Sequence, residues 1–170
     1  MSKADRIFQL AQEVTTTYDL LNARRSGSGD SFTREVIDHL KFMVIEELGP
    51  GVANQYLSKA NRQSVDFWIE DEQTIVEVEY SMWSSDPLLE KEVFKALLAK
   101  DAGKDVRHLI LIGDPGSVRR WQTPTPQSVV DWVERHQHIR VQIWELTERS
   151  RLTQTTPTAA EPTGGEDHEN

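Results

Sequence analysis

Three carboxylates in this chain, Asp66, Glu77 and Glu79, have side chains and a spacing that suit a chemically active site. Alternating apolar and polar residues predict two strands, from Val65 to Glu70 and from Thr74 to Tyr80. A two-residue turn between the strands would set Asp66 opposite Glu77, with their Cβ atoms about 5 Å apart. Glu79 would lie on the same face, about 6.8 Å farther along its strand. We therefore expect the three carboxylates to converge on one patch.

Such a cluster needs a positive partner, because like charges placed directly opposite each other destabilise a sheet. Mg²⁺ is the natural candidate, with Mn²⁺ as a substitute, since hard divalent cations prefer oxygen ligands. The alternative interpretation is that the acids form only the solvated face of a surface hairpin. The pairing also depends on the turn at Asp71-Glu72, since a change of one residue in its length would break it.

A fourth carboxylate, Glu47, lies on a predicted helix that begins at Asp30 or Ser31, runs to Leu48 and stops at Gly49. At about 100° per residue, Glu47 falls inside the apolar stripe of this helix. A carboxylate that faces a core needs a partner, so we expect Glu47 to join the acidic cluster and reach the metal. The alternative is that it escapes to water near the helix end.

Six basic residues are candidates for contacts with phosphate groups. They are Arg24 and Arg25 in a flexible loop after the first helix, Lys59 and Arg62 in the segment before Asp66, and Arg119 and Arg120 in a loop after a turn at residues 113–116. The first of these loops can equally be a plain linker. Lys91 and Lys95 lie one turn apart on another predicted helix, where we expect a solvated face.

The first element is a helix predicted over residues 3–22. Its apolar residues are spaced by three and four, as in a heptad repeat. They are Ala4, Ile7, Ala11, Val14, Tyr18 and Leu21. This stripe packs either on its own domain or on a second copy of the chain.

Helices and strands alternate in the rest of the chain. We predict a short strand at Tyr56-Leu57, a helix from Asp86 to about Lys100, a buried strand from Val106 to Ile112 with His108 as a strand-end residue, a helix opening at Thr125-Pro126 and a strand from Ile139 to Leu146. This order predicts an α/β domain with a mixed sheet, in which a hairpin is followed by helical crossovers. From Thr147 onward, few large apolar residues remain, which predicts a disordered acidic tail.

Composition narrows the class of protein. The chain has 170 residues, enough for one domain with a sizeable core, and it has no cysteine, which excludes disulfides and thiolate metal sites. Without an apolar run of membrane-spanning length or a signal peptide, we expect a cytoplasmic protein with no membrane partner. A net charge of −9 argues mildly against nucleic-acid binding, unless a cation cancels part of the acidic cluster.

The order of these features resembles that of the PD-(D/E)XK nuclease superfamily. The order is the helix that carries Glu47, then Asp66, then Glu77-Val78-Glu79, and then a helix and a buried strand. The superfamily motif is an Asp near the start of one hairpin strand and a Glu-x-Lys on the next. The closer resemblance is to type II restriction endonucleases of the BamHI/BglII group, in which the final Lys is commonly replaced by Glu or Gln. Here Val65 replaces the motif proline, and Glu79 replaces the Lys, which removes the usual positive group beside the attacking water.

The resemblance implies a restriction-endonuclease-like αβββαβ core over residues 31–146, preceded by a helix and basic loop over residues 1–30 and followed by the tail over residues 147–170. It implies a Mg²⁺-dependent endodeoxyribonuclease in which Asp66 and Glu77 hold the metal, with Glu47 reaching it directly or through water. Glu79 would take a proton from the attacking water or complete a second metal site. DNA is then the expected substrate, and a homodimer with the first helix at or near its interface is the expected assembly.

Two rival hypotheses come from other classes of protein. One is a non-catalytic nuclease-fold protein that binds DNA or a protein partner, which the missing Lys and the acidic balance favour. The other is an assembly module that is joined through the first helix.

Overall fold

The computed structural model describes residues 1–19, 30–56, 64–80 and 86–147. The described helices are α1 (Lys3–Thr17), α2 (Asp30–Leu48), α3 (Asp86–Asp101), α4 (Ser117–Trp121) and α5 (Pro124–Gln137). The described strands are β1 (Ala53–Tyr56), β2 (Ser64–Ile69), β3 (Thr74–Glu79), β4 (His108–Gly113) and β5 (Arg140–Glu145). Within these ranges, no helix is both long enough and apolar enough to cross a membrane.

One mixed sheet carries the five strands in the order β1-β2-β3-β4-β5. The first three strands form an antiparallel meander, whereas β3, β4 and β5 run parallel to one another. The parallel strands are joined by helices, α3 between β3 and β4, and α4 with α5 between β4 and β5. The predicted α/β class, with a hairpin followed by helical crossovers, is confirmed.

Helices cover both faces of the sheet, and β4 shows why its sequence is almost entirely apolar. Ile110 and Ile112 are buried in a cluster with α1 and α2, and Leu109 and Leu111 are buried in a second cluster with α3 and α5. A strand buried on both faces has no position for a solvated side chain. The strand begins at His108 rather than at Val106, so His108 is a strand-end residue as predicted.

The register of β2 and β3 matches the prediction, although their connection does not. Phe67 pairs with Val76 and Ile69 pairs with Thr74, which is the register that sets Asp66 opposite Glu77. The connection is a 3-10 turn over Glu70–Glu72 followed by Gln73 in the left-handed conformation (φ 51°), rather than a two-residue turn. The longer turn closes on the same pairs, so the faces of both strands are preserved.

Several predicted boundaries need correction. Helix α1 ends at Thr17 rather than at residue 22, and α5 starts at Pro124 with Thr123 as its N-cap. Arg119 and Arg120, predicted in a loop, lie on the short helix α4. The end of α2 at Leu48 is confirmed, because Gly49 has a φ of 93° that L-residues rarely adopt.

The apolar stripe of α1 packs on its own domain. Ala4, Ile7, Ala11 and Val14 are buried in the cluster that includes Phe67 of β2. These residues are therefore not available as the interface predicted for a second copy, and Leu21 lies outside the described residues. The homodimer itself stays a prediction.

Truncation of Ile7, which is 0% exposed, should show how firmly α1 is docked. We expect Ile7→Ala to lower the free energy of unfolding by about 2–4 kcal/mol, since it removes buried methylenes and leaves a cavity. Urea unfolding followed by circular dichroism measures the change. Phe42→Ala is the control, because Phe42 is largely exposed on α2 and should change stability by only about 0.5 kcal/mol. Equal effects of the two changes would contradict the docking of α1.

Candidate functional site

The candidate site lies where the ladder between β2 and β3 ends. Beyond the pair of Phe67 and Val76, side chains replace the regular backbone rungs. The Asp66 N–H donates to Glu77 Oε2 at 3.2 Å, and the Val78 N–H donates to Asp66 Oδ2 at 3.0 Å. Each carboxylate is thus fixed by the backbone of the opposite strand. This confirms the predicted juxtaposition of Asp66 and Glu77 on adjacent antiparallel strands.

The strict alternation assumed for β2 ends at the same place. Val65 was expected on the face of Phe67 and Ile69, but it belongs to the cluster on the α3 side, with Trp68 and Ile75. Asp66 therefore lies at the point where the strand departs from regular pleating, between the two helix layers.

A lysine from each helix layer contacts the two acids. Lys41 Nζ of α2 lies 2.8 Å from Asp66 Oδ1, and Lys95 Nζ of α3 lies 3.1 Å from Glu77 Oε1. The solvated face predicted for Lys95 is wrong, since only 12% of this side chain is exposed. Lys41 was not singled out by the sequence, because its partner depends on how α2 packs.

A second buried acid, Glu92 of α3, was also missed. Its exposure is 0%, and its two oxygens lie 3.0 Å from Lys91 Nζ and 2.6 Å from Lys95 Nζ. Within the described chain these contacts are ion pairs rather than hydrogen bonds of regular geometry. The sequence held a signal, because Glu92 falls in the same three-and-four spacing as the inward-facing Leu89 and Ala96.

These charged groups, apart from Glu92, border one cavity of about 470 Å³. Its described lining combines four acids with four bases, namely Asp38, Asp66, Glu77, Glu79, Arg34, Lys41, Lys91 and Lys95, together with Thr33, Ile37 and Val78. The carboxylate that α2 brings to this cavity is Asp38, on the outer part of the helix. An open cavity lined by paired charges fits a charged ligand better than an apolar one.

Glu47 does not join the cluster, and its prediction as a metal ligand is corrected. Its oxygens face Arg6 of α1, with Nη2 donating to Oε2 at 2.7 Å, and its side chain is 42% exposed. The guanidinium of Arg6 lowers the pKa of the Glu47 carboxyl. Glu47 therefore ties α1 to the end of α2 at the surface.

The other predicted site residues are not brought to the cavity. Lys59, Arg62, Arg24 and Arg25 lie outside the described residues. Arg119 is exposed on α4 and Arg120 is half-buried there, and neither lines the cavity.

Burial raises the pKa of two of the predicted catalytic carboxyls. The pKa of Glu77 lies well above its usual range because of burial first and the neighbouring Asp66 and Glu92 charges second, with Lys95 opposing the rise. Burial, followed by the charge of Glu92, raises the pKa of Glu79 to about 7. The attraction of Glu77 and Glu92 outweighs the effect of burial on Lys95, so its pKa is raised and it stays charged.

The carboxylates of the site have the chemistry, but not the arrangement, of a divalent-cation site. Among the described residues, no group of three or more acids or histidines has metal-site geometry. One oxygen each of Asp66 and Glu77 lies against an ammonium group instead. The chemistry nevertheless fits a hard cation, since Asp66 and Glu77 offer carboxylate oxygens from opposite strands. A cation would also favour the ionised forms of Glu77 and Glu79, whose pKa values are raised without it.

No protein-family model matches the chain, and comparisons with curated proteins and with solved structures found no match.

The raised pKa of Glu79 predicts a specific pH dependence of stability. Between the ordinary pKa and about 7, the folded chain holds a proton on Glu79 that the unfolded chain has lost, so stability falls as pH rises through this window. Glu79→Gln removes this loss. We expect the variant to gain about 2–3 kcal/mol relative to the wild type between pH 5 and pH 8 in EDTA.

Urea unfolding at the two pH values measures this difference. Glu90→Gln, at an exposed position of α3, controls for the loss of one negative charge. A Glu79→Gln difference that is the same at pH 5 and pH 8 would contradict the raised pKa.

Proposed function

We propose that the chain is a metal-dependent endodeoxyribonuclease that hydrolyses phosphodiester bonds of DNA, on a core of the restriction-endonuclease type. The observation that carries the proposal is the reciprocal contact of Asp66 and Glu77 at the parting ends of β2 and β3. Glu79 follows on the same strand and lines the same cavity. Backbone groups hold the two carboxylates opposite each other. This arrangement favours a cation-binding site over the solvated face of a surface hairpin.

The order of elements supports the same proposal. Helix α2 precedes three antiparallel strands, and helix α3 then leads to a parallel strand, β4. This is the αβββαβ order implied by the family that the sequence resembles. The acids lie on the second and third strands of the meander, as the family motif requires.

Asp66 and Glu77 would hold Mg²⁺, and Mn²⁺ would substitute for it. When bound, the metal would activate water, orient the scissile phosphate and offset the charge that develops there. The chain prepares this site by fixing one oxygen of each carboxylate to the backbone, so both side chains are positioned before the ligand arrives. Lys41 and Lys95 balance the acids meanwhile.

Glu79 would accept the proton of the attacking water. A general base works best when its pKa lies near the working pH, and the pKa of Glu79 is about 7. Its side chain is 22% exposed, so water can reach it from the cavity. Completing a second metal site remains its alternative role.

The family motif has a lysine at the position of Glu79. In this chain, α3 would supply that positive charge instead. Lys95 is already beside Glu77, and the exposed Lys91 lies 3.7 Å from Glu79. Both can pair with phosphate oxygens of DNA. Arg34 of α2 lines the same cavity and extends this basic surface, whereas phosphate contacts by Lys59, Arg62, Arg24, Arg25, Arg119 and Arg120 stay predictions.

Incubation with supercoiled plasmid in Mg²⁺, Mn²⁺ or EDTA tests the activity. We expect cutting with either metal and none in EDTA. Glu77→Gln should lower the rate by more than about 100-fold, since even residues that only support metal ligands cost about 10–100-fold when changed. Glu90→Gln, exposed on α3, is the matched control and should cut like the wild type. Cutting that persists unchanged in Glu77→Gln would mean that the activity comes from another site or a contaminant.

One observation favours the rival hypothesis of a non-catalytic nuclease-fold protein. Lys41 and Lys95 already contact Asp66 and Glu77, so each acid has a positive partner without a metal. Such a protein would bind DNA or a protein partner without hydrolysis. Calorimetric titration with Mn²⁺ separates the two hypotheses, because a nuclease should bind Mn²⁺ and lose that affinity in Asp66→Ala. The rival hypothesis would be supported if the protein binds DNA in EDTA in a filter-binding assay and binds no Mn²⁺.

A further inference from the structure

Glu92 is, among the described residues, the one buried acid that the proposed hydrolysis does not use. At 0% exposure it is the least exposed of the described acids. Removing a carboxylate from water is costly, and apolar side chains of similar volume are often as stabilising as a buried ion pair. Its neighbours on the inner face of α3, Leu89, Val93 and Ala96, are apolar, so an apolar residue would suit this position. The charge of Glu92 therefore points to a task other than stability.

The contacts of Glu92 indicate that task. The Lys95 ammonium has two carboxylate partners, Glu92 Oε2 at 2.6 Å and Glu77 Oε1 at 3.1 Å. Glu77 lines the cavity and is a proposed metal ligand, whereas Glu92 does not line the cavity. A cation that enters would compete with Lys95 for Glu77 but would leave Glu92 untouched. The contact with Glu92 would then determine the position of the Lys95 ammonium.

We propose that Glu92 is a positioning residue that keeps the Lys95 ammonium beside the cavity when a divalent cation takes over its contact with Glu77. The retained ammonium then pairs with a phosphate group of the substrate, which the cation draws to the same place. Glu92 holds Lys91 in the same way through Oε1, at 3.0 Å. This inference rests on the proposed function and adds a fixed cationic pair, supplied by α3, to its substrate site.

Nuclear magnetic resonance of lysine side-chain ammonium groups tests the inference without any catalysis. The Lys95 signal is assigned by its loss in Lys95→Met. In the wild type we expect it to persist after saturation with Mg²⁺. In Glu92→Gln we expect it to be visible without Mg²⁺, when Glu77 still holds the ammonium, and to disappear on saturation. Glu90→Gln should behave like the wild type.

Two outcomes overturn the inference. One is a Lys95 signal that Mg²⁺ abolishes in the wild type, and this arm needs no variant of Glu92 to fold. The other is a signal that survives Mg²⁺ in Glu92→Gln. A wild type that binds Mg²⁺ and cuts DNA would leave the proposed function standing in either case. A wild type that neither binds Mg²⁺ nor cuts DNA would overturn the proposed function, and the inference with it.

Cleavage rates give a second, independent test. Glu92→Gln should slow plasmid cutting by about 10-fold or more, in the range seen when supporting residues are changed. If Glu92 acts through Lys91 and Lys95, adding Glu92→Gln to a variant with both Lys91→Met and Lys95→Met should cause less than about a twofold further loss. The triple variant removes the buried acid together with both of its lysine partners, so it should fold at least as well as the variant that lacks only the lysines. Losses that multiply in the triple variant would show that Glu92 acts independently of the two lysines, which overturns the inference.

Discussion

The burial of neighbouring carboxylates is the constraint on which the rest of the site depends. Glu77 and Glu92 are almost completely removed from water, and Asp66 lies beside Glu77. Charges in such a place must be paired, because desolvation penalises the ionised form and like charges add to the penalty. The partners come from opposite layers, with Lys41 on α2 and Lys95 on α3. The fold must therefore place one lysine-bearing helix on each face of the sheet, next to the ends of β2 and β3.

The topology of the sheet meets this requirement at β3. This strand is antiparallel to β2 and parallel to β4, so it lies where the meander changes to helical crossovers. The carboxyl end of β3, at Glu79, aligns with the ends of β4 and β5, at Gly113 and Glu145. Sites in open α/β sheets tend to form outside the carboxyl ends of parallel strands. Glu79 lies at such an end, on the strand where the pairing changes from antiparallel to parallel.

The parts of this arrangement that local patterns determine could be predicted from the sequence. The register of β2 and β3 was predicted from a two-residue turn. It is preserved because the observed connection is longer by one residue on each side, which leaves the same residues paired. The prediction that Glu47 joins the acidic cluster was wrong, because it was based only on the angle of Glu47 around its own helix. Arg6 lies on a different helix and draws the carboxylate to the surface. The pairing of Lys41 with Asp66 likewise depends on tertiary packing, which no local pattern encodes.

The prediction for Lys95 failed for a different reason, because its charge was taken as a sign of exposure, and its buried partner Glu92 was missed. Glu92 lies three residues after Leu89 and four before Ala96, and Lys95 lies three residues after Glu92 and four before the buried Ala99. Both were therefore within reach of the core by spacing alone. What made their burial tolerable was their mutual contact at three residues of separation, within one turn of α3. A pair of opposite charges at this spacing beside an apolar stripe can enter a core together, although neither charge could enter alone.

The lysines reduce the charge imbalance of the site without removing it. Even with Lys41 and Lys95 in contact, the pKa values of Glu77 and Glu79 stay above their usual range. An ammonium group brings one charge and a fixed tether, whereas a divalent cation brings two charges to a single point and can take oxygens from both strands. Glu79 on β3 adds a further negative charge and so increases the demand for positive charge, and Lys91 and Lys95 of α3 supply part of it. The remaining imbalance is what a cation would satisfy, and it grows as pH rises through about 7, where Glu79 ionises.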